Sequence, residues 1–168
     1  MDILDRYQQE IKGKTVTFRH LGAKTVPFEQ VTSVAVIPFI TSGELVAVNL
    51  HRRGLDLPGG HVEPGEKTPE ETARREVMEE ACMTIRSLVL VDVIQSDLFS
   101  TPSYMLLYTA YVDDMQAFVP SSEASERVIV TPEQFIERYE AGNKALMERI
   151  IARARDVMES EFGKDFAS

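Results

Sequence analysis

The chain of 168 residues has a single cysteine, Cys82, and no long hydrophobic run. One cysteine excludes an intrachain disulfide and is compatible with a reducing compartment. A membrane-spanning helix needs roughly 18 or more consecutive apolar residues, and no segment approaches that length. The first ten residues lack a basic segment followed by an apolar one, so no signal peptide is expected. These absences predict a cytoplasmic protein that does not enter a membrane.

Positive charge is also scarce, because 18 Lys and Arg stand against 27 Asp and Glu and give a formal net charge of −9. A surface this acidic repels nucleic-acid backbones and anionic membranes, so stable nucleic-acid binding is not expected. A small phosphate-bearing substrate is still permitted, since metal ions and a few Arg side chains can meet it locally. The sequence has no internal repeat or long linker, and we predict one domain over residues 1–168.

Strands and helices are predicted to be interspersed along the chain, which indicates an α/β (α+β) fold with a mixed β-sheet flanked by helices. The predicted strands are 15–20, 31–40, 45–50, 85–95 and 103–112. Residues 1–30 are treated as an N-terminal extension. Within it, residues 1–12 are predicted to form a short amphipathic helix through Ile3, Leu4, Tyr7 and Ile11.

Two regions after the first strands have clear local signals. Residues 54–65 contain four glycines and two prolines, which predicts a loop with special backbone demands. A second signature, Thr131-Pro132-Glu133-Gln134, predicts the start of a C-terminal helical region. That region covers 131–160 and should break near residues 141–143.

The helix after the glycine loop has the clearest start in the sequence. Thr68 is a good N-cap, Pro69 suits the first helical position, and Glu71 completes a predicted capping box with Thr68. The helix should run to about Cys82. At 100° per residue, Ala73, Val77 and Ala81 form one small apolar line that can lie close against a sheet.

Three glutamates lie beside that apolar line, at Glu76, Glu79 and Glu80. Carboxylates at positions i, i+3 and i+4 lie about 5–6 Å apart at Cβ and repel one another. A divalent cation would remove this repulsion, because Mg²⁺ and Mn²⁺ prefer hard oxygen ligands. Taken alone, the triplet is more typical of a solvated acidic face. The loop in front of the helix changes that balance.

The segment Leu57-Pro58-Gly59-Gly60-His61-Val62-Glu63-Pro64-Gly65-Glu66, followed by Arg75-Glu76-Val77-Met78-Glu79-Glu80, resembles the signature of the Nudix (MutT-like) hydrolases. That signature is G-x5-E-x7-R-E-U-x-E-E-x-G-U, where U is aliphatic. Two departures are visible. Eight residues separate Glu66 from Arg75 instead of seven, and we place the extra one at Lys67, ahead of the N-cap. Cys82 replaces the last glycine, a residue that would serve as a helix C-cap.

The resemblance implies a Nudix-type α-β-α sandwich and a metal-dependent attack of water on a diphosphate. It assigns Glu76 and Glu80 as ligands of Mg²⁺, with Mn²⁺ as the other candidate ion. Glu79 is implied as a further ligand or as the base, and the backbone carbonyl of Gly60 as an additional ligand. Water activated by the metal would then attack phosphorus.

The resemblance also implies supporting residues. Glu66 and Arg75 would pair and brace the loop on the helix, and Gly59 belongs to the same structural motif. Many members of the family use another acid from a distant loop as base or ligand. Glu123 and Glu126 are the candidates here, with a slight preference for Glu126, and plain surface glutamates are the alternative.

The substrate is the least determined feature. Arg52 and Arg53 are candidates for holding phosphates, and Phe99 and Tyr104 for stacking on a base, although surface Arg and core aromatics are common. A small-molecule nucleotide is the expected partner. Nucleoside triphosphates rank first and ADP-ribose or nucleotide-sugar compounds second. A homodimer stays open.

Two other classes stay open at this stage. One is a catalytically silent domain that binds a nucleotide, although all three helix glutamates are present. The other is an isoprenoid diphosphate isomerase on the same fold, which would need a cysteine in its pocket. Cys82, at the end of the helix, is poorly placed for that role.

Overall fold

The structure, a computed structural model, describes residues 6–167. Within these residues, nine strands form one mixed sheet and helices pack on both of its faces. The strands are β1 (Arg6–Ile11), β2 (Lys14–His20), β3 (Val31–Thr41), β4 (Glu44–Leu50), β5 (Gly54–Asp56), β6 (Gly59–His61), β7 (Met83–Ser96), β8 (Ser103–Met115) and β9 (Ala124–Val130). The helices are α1 (Pro69–Ala81), α2 (Pro132–Arg138), α3 (Lys144–Phe162) and α4 (Lys164–Ala167). The predicted mixed sheet flanked by helices is therefore confirmed.

The order of strands in the sheet is β1-β2-β7-β8-β3-β4-β5, with β6 beside β3 and β9 beside β4. Among the strands of residues 6–167, only β3 and β8 pair in parallel, and the other pairs are antiparallel. β3 and β4 pair only near their connecting turn, at Phe39–Leu45 and Thr41–Glu44. Beyond that point, β3 pairs with β6 and β4 pairs with β5. β3 and β4 therefore separate from each other beside the glycine-rich segment, which supplies β5 and β6.

The sheet separates two apolar clusters because its strands alternate between faces. Along β3, Val34 and Val36 pack on the side of α1, whereas Ile37 and Phe39 pack on the side of α2 and α3. In the cluster on the α1 side, the helix contributes Ala73, Val77 and Ala81, the small apolar line expected from the sequence. Small residues let the helix approach the sheet closely. That close approach is what brings its glutamates to the glycine loop.

The predicted N-terminal helix is wrong over its described part. Tyr7 and Ile11 belong to β1, which forms a hairpin with β2, while Ile3 and Leu4 lie outside the described residues. The turn consists of Lys12 and Gly13, both with positive φ, at 53° and 80°. Two consecutive residues of this kind make the turn whose twist suits a two-residue hairpin. The Lys12-Gly13 pair was the sequence signal for this turn, but the apolar spacing of the preceding residues favoured the prediction of a helix.

The C-terminal half agrees with the sequence except for one strand. α2 begins with the expected capping box of Thr131 and Gln134, and a break separates it from α3. The strand β9, which the sequence analysis did not predict, pairs with β4 along its whole length. Within residues 6–167, none of the helices is both long and apolar enough to span a bilayer.

Candidate metal and diphosphate site

The start of α1 shows how the chain accommodates the extra residue. Pro69 is the first helical residue, and the Oγ1 of Thr68 accepts a hydrogen bond from the N–H of Glu71 at 3.3 Å. The carboxylate of Glu71 accepts from the N–H of Lys67 at 2.7 Å instead of that of Thr68. The predicted capping box is thus half correct. Lys67 lies ahead of the helix, as expected, so the insertion does not rotate the glutamates.

Two glycines of the loop are required by close packing. A Cβ at Gly59 would lie 2.5 Å from the carbonyl oxygen of Val34 on β3. A Cβ at Gly60 would overlap the carboxylate of Glu76 on α1. β6 is therefore pressed between the central strand and the helix, and only glycine fits there. This contact confirms that the glycine loop and the helix glutamates face one another.

Arg75 braces the loop against the helix, as the resemblance implied. Its Nε donates to Glu66 at 2.9 Å, and its Nη2 donates to the carbonyl of His61 at 2.8 Å. Glu66 also accepts from the hydroxyl of Thr72 at 2.9 Å. These bonds, chiefly the one from Arg75, lower the pKa of Glu66 to about 2. Glu66 is therefore charged at neutral pH and held in a structural position.

The core of the site is a group of three carboxylates, from Glu76, Glu80 and Glu123. One oxygen from each lies within 4.8 Å of the others. Glu76 and Glu80 are buried, with 6% and 2% of their surface exposed, and Glu123 is exposed. Burial, followed by the proximity of Glu76, raises the pKa of Glu80 to about 8, and burial also raises the pKa of Glu76.

One atom of this group indicates what the site can hold. Oε2 of Glu80 is buried and has no hydrogen-bond partner in the structure. A buried polar atom without a partner costs stability, and a buried cluster of like charges costs more. A divalent cation would satisfy the free oxygen and the excess charge together. The donor set, three carboxylates, consists of the hard oxygens that Mg²⁺ and Mn²⁺ bind.

A tight turn in front of β9 carries Glu123 into the group. The hydroxyl of Ser121 accepts from the N–H groups of Glu123 at 3.3 Å and Ala124 at 3.0 Å. The carbonyl of Glu123 accepts from the N–H of His51, at the end of β4, at 2.9 Å. The supporting roles of Ser121 and His51 were not predicted from the sequence. Their only signal was a serine two residues before the acid.

The slight preference for Glu126 over Glu123 is not supported. Along β9, Arg127 donates to the carbonyl of Ala81 at the end of α1, whereas the next residue, Val128, packs on the α3 side. Because strand residues alternate, Glu126 shares the face of Val128 and lies across the sheet from α1. Glu123 lies outside this alternation, in the turn before β9, and there its carboxylate joins those of Glu76 and Glu80.

Glu79 lies at the rim of the site. Its side chain is 55% exposed, and its Oε2 accepts from Nη1 of Arg75 at 3.1 Å. The same Nη1 donates to Glu76 at 2.8 Å. Glu79 is therefore linked to the carboxylate group through Arg75 and is not among the three that converge.

The replacement of the signature glycine by Cys82 does not change how α1 ends. Cys82 has the left-handed conformation, with φ 54° and ψ 48°, that the glycine of the signature would adopt. Nη1 of Arg127 donates to the carbonyls of Ala81 at 2.8 Å, Cys82 at 3.2 Å and Gln116 at 2.9 Å. A cation at a helix C-terminus also offsets the helix dipole. The helix exit is thus preserved, with Arg127 binding the terminal carbonyls.

A cavity of about 340 Å³ lies on the opposite face of the sheet from α1. Its wall includes His61, which directly follows Gly60, the glycine that packs against Glu76. Residues that define the cavity are Phe18, Ser33, His61, Ile94, Phe99 and Met105.

The substrate residues predicted from the sequence are only partly brought together. Phe99 lines the cavity, but Tyr104 packs against the apolar cluster on the α1 side. Arg52 and Arg53 lie in the exposed turn after β4, next to His51, which contacts Glu123. Arg53 is 3.8 Å from Asp56.

Comparisons with known proteins agree with this geometry. Residues 29–150 match the NUDIX domain family. The pyrophosphohydrolase BsRppH of Bacillus subtilis superposes with a TM-score of 0.70 at 21% identity, covering 94% of this chain and 99% of its own. An Ap4A hydrolase from C. elegans gives 0.57 at 21% identity, with 76% and 97% covered. The NUDIX domain of NrtR from Shewanella oneidensis, solved with ADP ribose, gives 0.61 at 16% identity, with 81% and 95% covered.

The family match covers most of the chain, and the structural likenesses share its fold. The signature residues lie where that fold needs them, with the glycine loop against α1 and the glutamates turned toward it. The chain therefore belongs to the Nudix hydrolase family, enzymes that act on diphosphate bonds.

Proposed function

We propose that this enzyme is a Mg²⁺-dependent hydrolase that converts a nucleoside triphosphate into a monophosphate and pyrophosphate. The observation that carries the proposal is the unpartnered, buried Oε2 of Glu80 inside a group of three carboxylates. A protein has little reason to bury such a group unless a cation completes it. Mn²⁺ has the same preference for oxygen ligands and is the second candidate ion.

Each residue of the site has a distinct part in this proposal. Glu76, Glu80 and Glu123 would hold the cation, and the carbonyl of Gly60 would add a ligand. When bound, the cation supplies charge neutralisation of the diphosphate and activation of the attacking water. Arg75 keeps Glu76 fixed through its 2.8 Å hydrogen bond, so the carboxylate stays aimed at the loop.

The diphosphate and the base of the substrate would lie on either side of β6. The diphosphate would lie at the carboxylate group, within reach of Arg52 on its exposed turn. The base would enter the cavity beyond His61, where Phe99 offers a ring that is 58% exposed. The cavity volume of about 340 Å³ lies at the small end of ligand pockets. A single nucleoside suits it, and we place the enzyme in the cytoplasm on the sequence argument.

ADP-ribose and nucleotide sugars form the second substrate class. The support for it is that a NUDIX domain of similar fold was solved with ADP ribose. A silent nucleotide-binding domain is disfavoured by the converging carboxylates. Both alternatives are included in the experiments below.

Divalent cations should stabilise the folded protein. At a concentration 100 times its dissociation constant, a ligand of the native state stabilises it by about 2.7 kcal/mol, which for a chain of this size raises Tm by roughly 5–10 °C. Thermal unfolding in millimolar MgCl₂ or MnCl₂ should show this shift, and NaCl at matched ionic strength should not. A chain that melts at the same temperature in all three solutions has no such site.

The bond that is cut can be identified with labelled water. A triphosphate hydrolysed in H₂¹⁸O should give a monophosphate and pyrophosphate, with the label on one of the two, as seen by mass spectrometry. ADP-ribose should give two monophosphates if the second class is correct. Label found only in inorganic phosphate would indicate an ordinary phosphatase. Binding without turnover of any nucleotide would indicate a silent domain, and an isomerised, unlabelled isoprenoid diphosphate would indicate the isomerase.

A further inference from the structure

The β1–β2 hairpin is not part of the matched family domain, which begins at residue 29. It nevertheless extends the sheet next to β7 and reaches the cavity. Two of its residues, Ile11 and Phe18, line the same cavity as His61. An element outside the matched family region thus supplies part of the cavity wall.

The hairpin also contacts the loop 97–102, which forms another part of the cavity wall. The N–H of Thr17 donates to Oδ1 of Asp97 at 2.7 Å, and the N–H of Asp97 donates back to Thr17 at 3.3 Å. Nζ of Lys14 donates to the carbonyl of Leu98 at 3.1 Å. Leu98 and Phe99 both line the cavity. The position of these two residues therefore depends on the hairpin.

The hairpin is firmly attached to the sheet. The ring of His20 contacts the carboxylate of Asp92 on β7 at 2.5 Å, with both side chains almost fully buried. Arg153 of α3 lies 3.6 Å from the same carboxylate. The ring of Phe18 stacks on Tyr7 with centroids 4.9 Å apart and an interplanar angle of 15°. Phe18 is therefore a fixed, flat apolar surface.

We infer that the β1–β2 hairpin determines which organic group this hydrolase accepts, with Phe18 as its main contact. This inference rests on the proposed function, since it concerns the group attached to the diphosphate. Among the described residues that line the cavity, none is a carboxylate, Lys or Arg, and the polar ones are mostly hydroxyls such as Ser33 and Ser103. Such a surface favours an uncharged flat ring, which a nucleobase provides.

Phe18→Ala tests the inference, with Arg19→Ala as the matched control on the exposed face of the same strand. Loss of base stacking by an aromatic ring should raise KM for the best nucleotide substrate about tenfold and leave kcat within about twofold. The Kd of the corresponding nucleoside monophosphate, measured by calorimetry, should rise by a similar factor. The Ki of inorganic pyrophosphate, which lacks the base, should not change. Arg19→Ala should match the wild type in every measurement.

A second pair of variants separates binding from folding of the hairpin. Phe18→Leu keeps apolar bulk and should give an intermediate KM with an unchanged Tm. Asp97→Ala leaves the hairpin residues in place but frees the loop, and it should also raise KM with kcat preserved. Unchanged monophosphate binding in Phe18→Ala and Asp97→Ala would overturn the inference, as would a wild type that binds no monophosphate. A wild type that binds monophosphate through Phe18 but hydrolyses no nucleotide would refute only the proposed function.

Discussion

Glu80→Gln should lower the rate of diphosphate hydrolysis by about 10²- to 10⁴-fold, the range typical for loss of a positioned acid–base or ligand group. Glutamine keeps the size of the side chain but removes the charge that a cation needs. Since burial raises the pKa of Glu80 to about 8, its side chain is mostly neutral in the metal-free protein at pH 7, and a neutral glutamine replaces it at little cost. The variant should therefore unfold at a temperature no lower than the metal-free wild type, and Mg²⁺ should no longer raise its Tm.

Glu70→Gln is the control for this experiment. Glu70 lies on the same helix near its start and accepts a 3.3 Å hydrogen bond from the hydroxyl of Tyr108, which glutamine can also accept. Its substitution should change kcat by less than about twofold. Equal and small effects at Glu70 and Glu80 would mean that the helix carries only a solvated acidic face.

Glu123→Gln should lower kcat by about 10²-fold or more, whereas Glu126→Gln should have little effect. The two residues are three positions apart in the chain, are both exposed, and lie near opposite faces of the sheet. Only Glu123 has a carboxylate oxygen within 4.8 Å of those of Glu76 and Glu80. A cation bound by three carboxylates should bind more weakly with two. The concentration of Mg²⁺ that gives half-maximal activity should therefore rise in Glu123→Gln.

Glu123→Gln and Glu126→Gln are chemically identical changes, so a difference in their rates reports only the positions of the two residues. Steady-state rates over a range of Mg²⁺ concentrations measure both effects in one series. A large loss in Glu126→Gln with a wild-type rate in Glu123→Gln would mean that the turn before β9 rearranges when substrate binds. In that case the arrangement described here is not the catalytic one.

Elements with strong local signals, such as capping residues and regular apolar spacing, were predicted correctly. Thr68 and Pro69 fix the start of α1, and its apolar line fixes the face that meets the sheet. The same signature predicted that Arg75 would pair with Glu66, in spite of the extra residue. These features involve residues close in sequence, so spacing alone constrains them.

Prediction failed where long-range pairing decided the outcome. Residues 6–11 have apolar spacing that suits a helix, but pairing with β2 along the sheet makes them a strand. The segment that became β9 ends in the β-branched Val128, Ile129 and Val130, but its first half is polar, and pairing with β4 extends the strand to Ala124. Contacts between distant segments routinely override weak local propensities.

The sequence by itself determined which residues of the glycine loop and of the helix form the site, since Gly59 and Gly60 precede Glu76 and Glu80 by only 16 to 21 residues. Tertiary structure alone decided which distant groups join them. The carboxylate of Glu123 joins those of Glu76 and Glu80 because the turn before β9 is held against the end of β4, whereas Glu126 lies within β9 on the face away from α1. The hairpin reaches the cavity because β2 pairs with the end of β7, about 75 residues later in the chain. Pairing between segments that far apart depends on the complete sheet, and no local pattern encodes it.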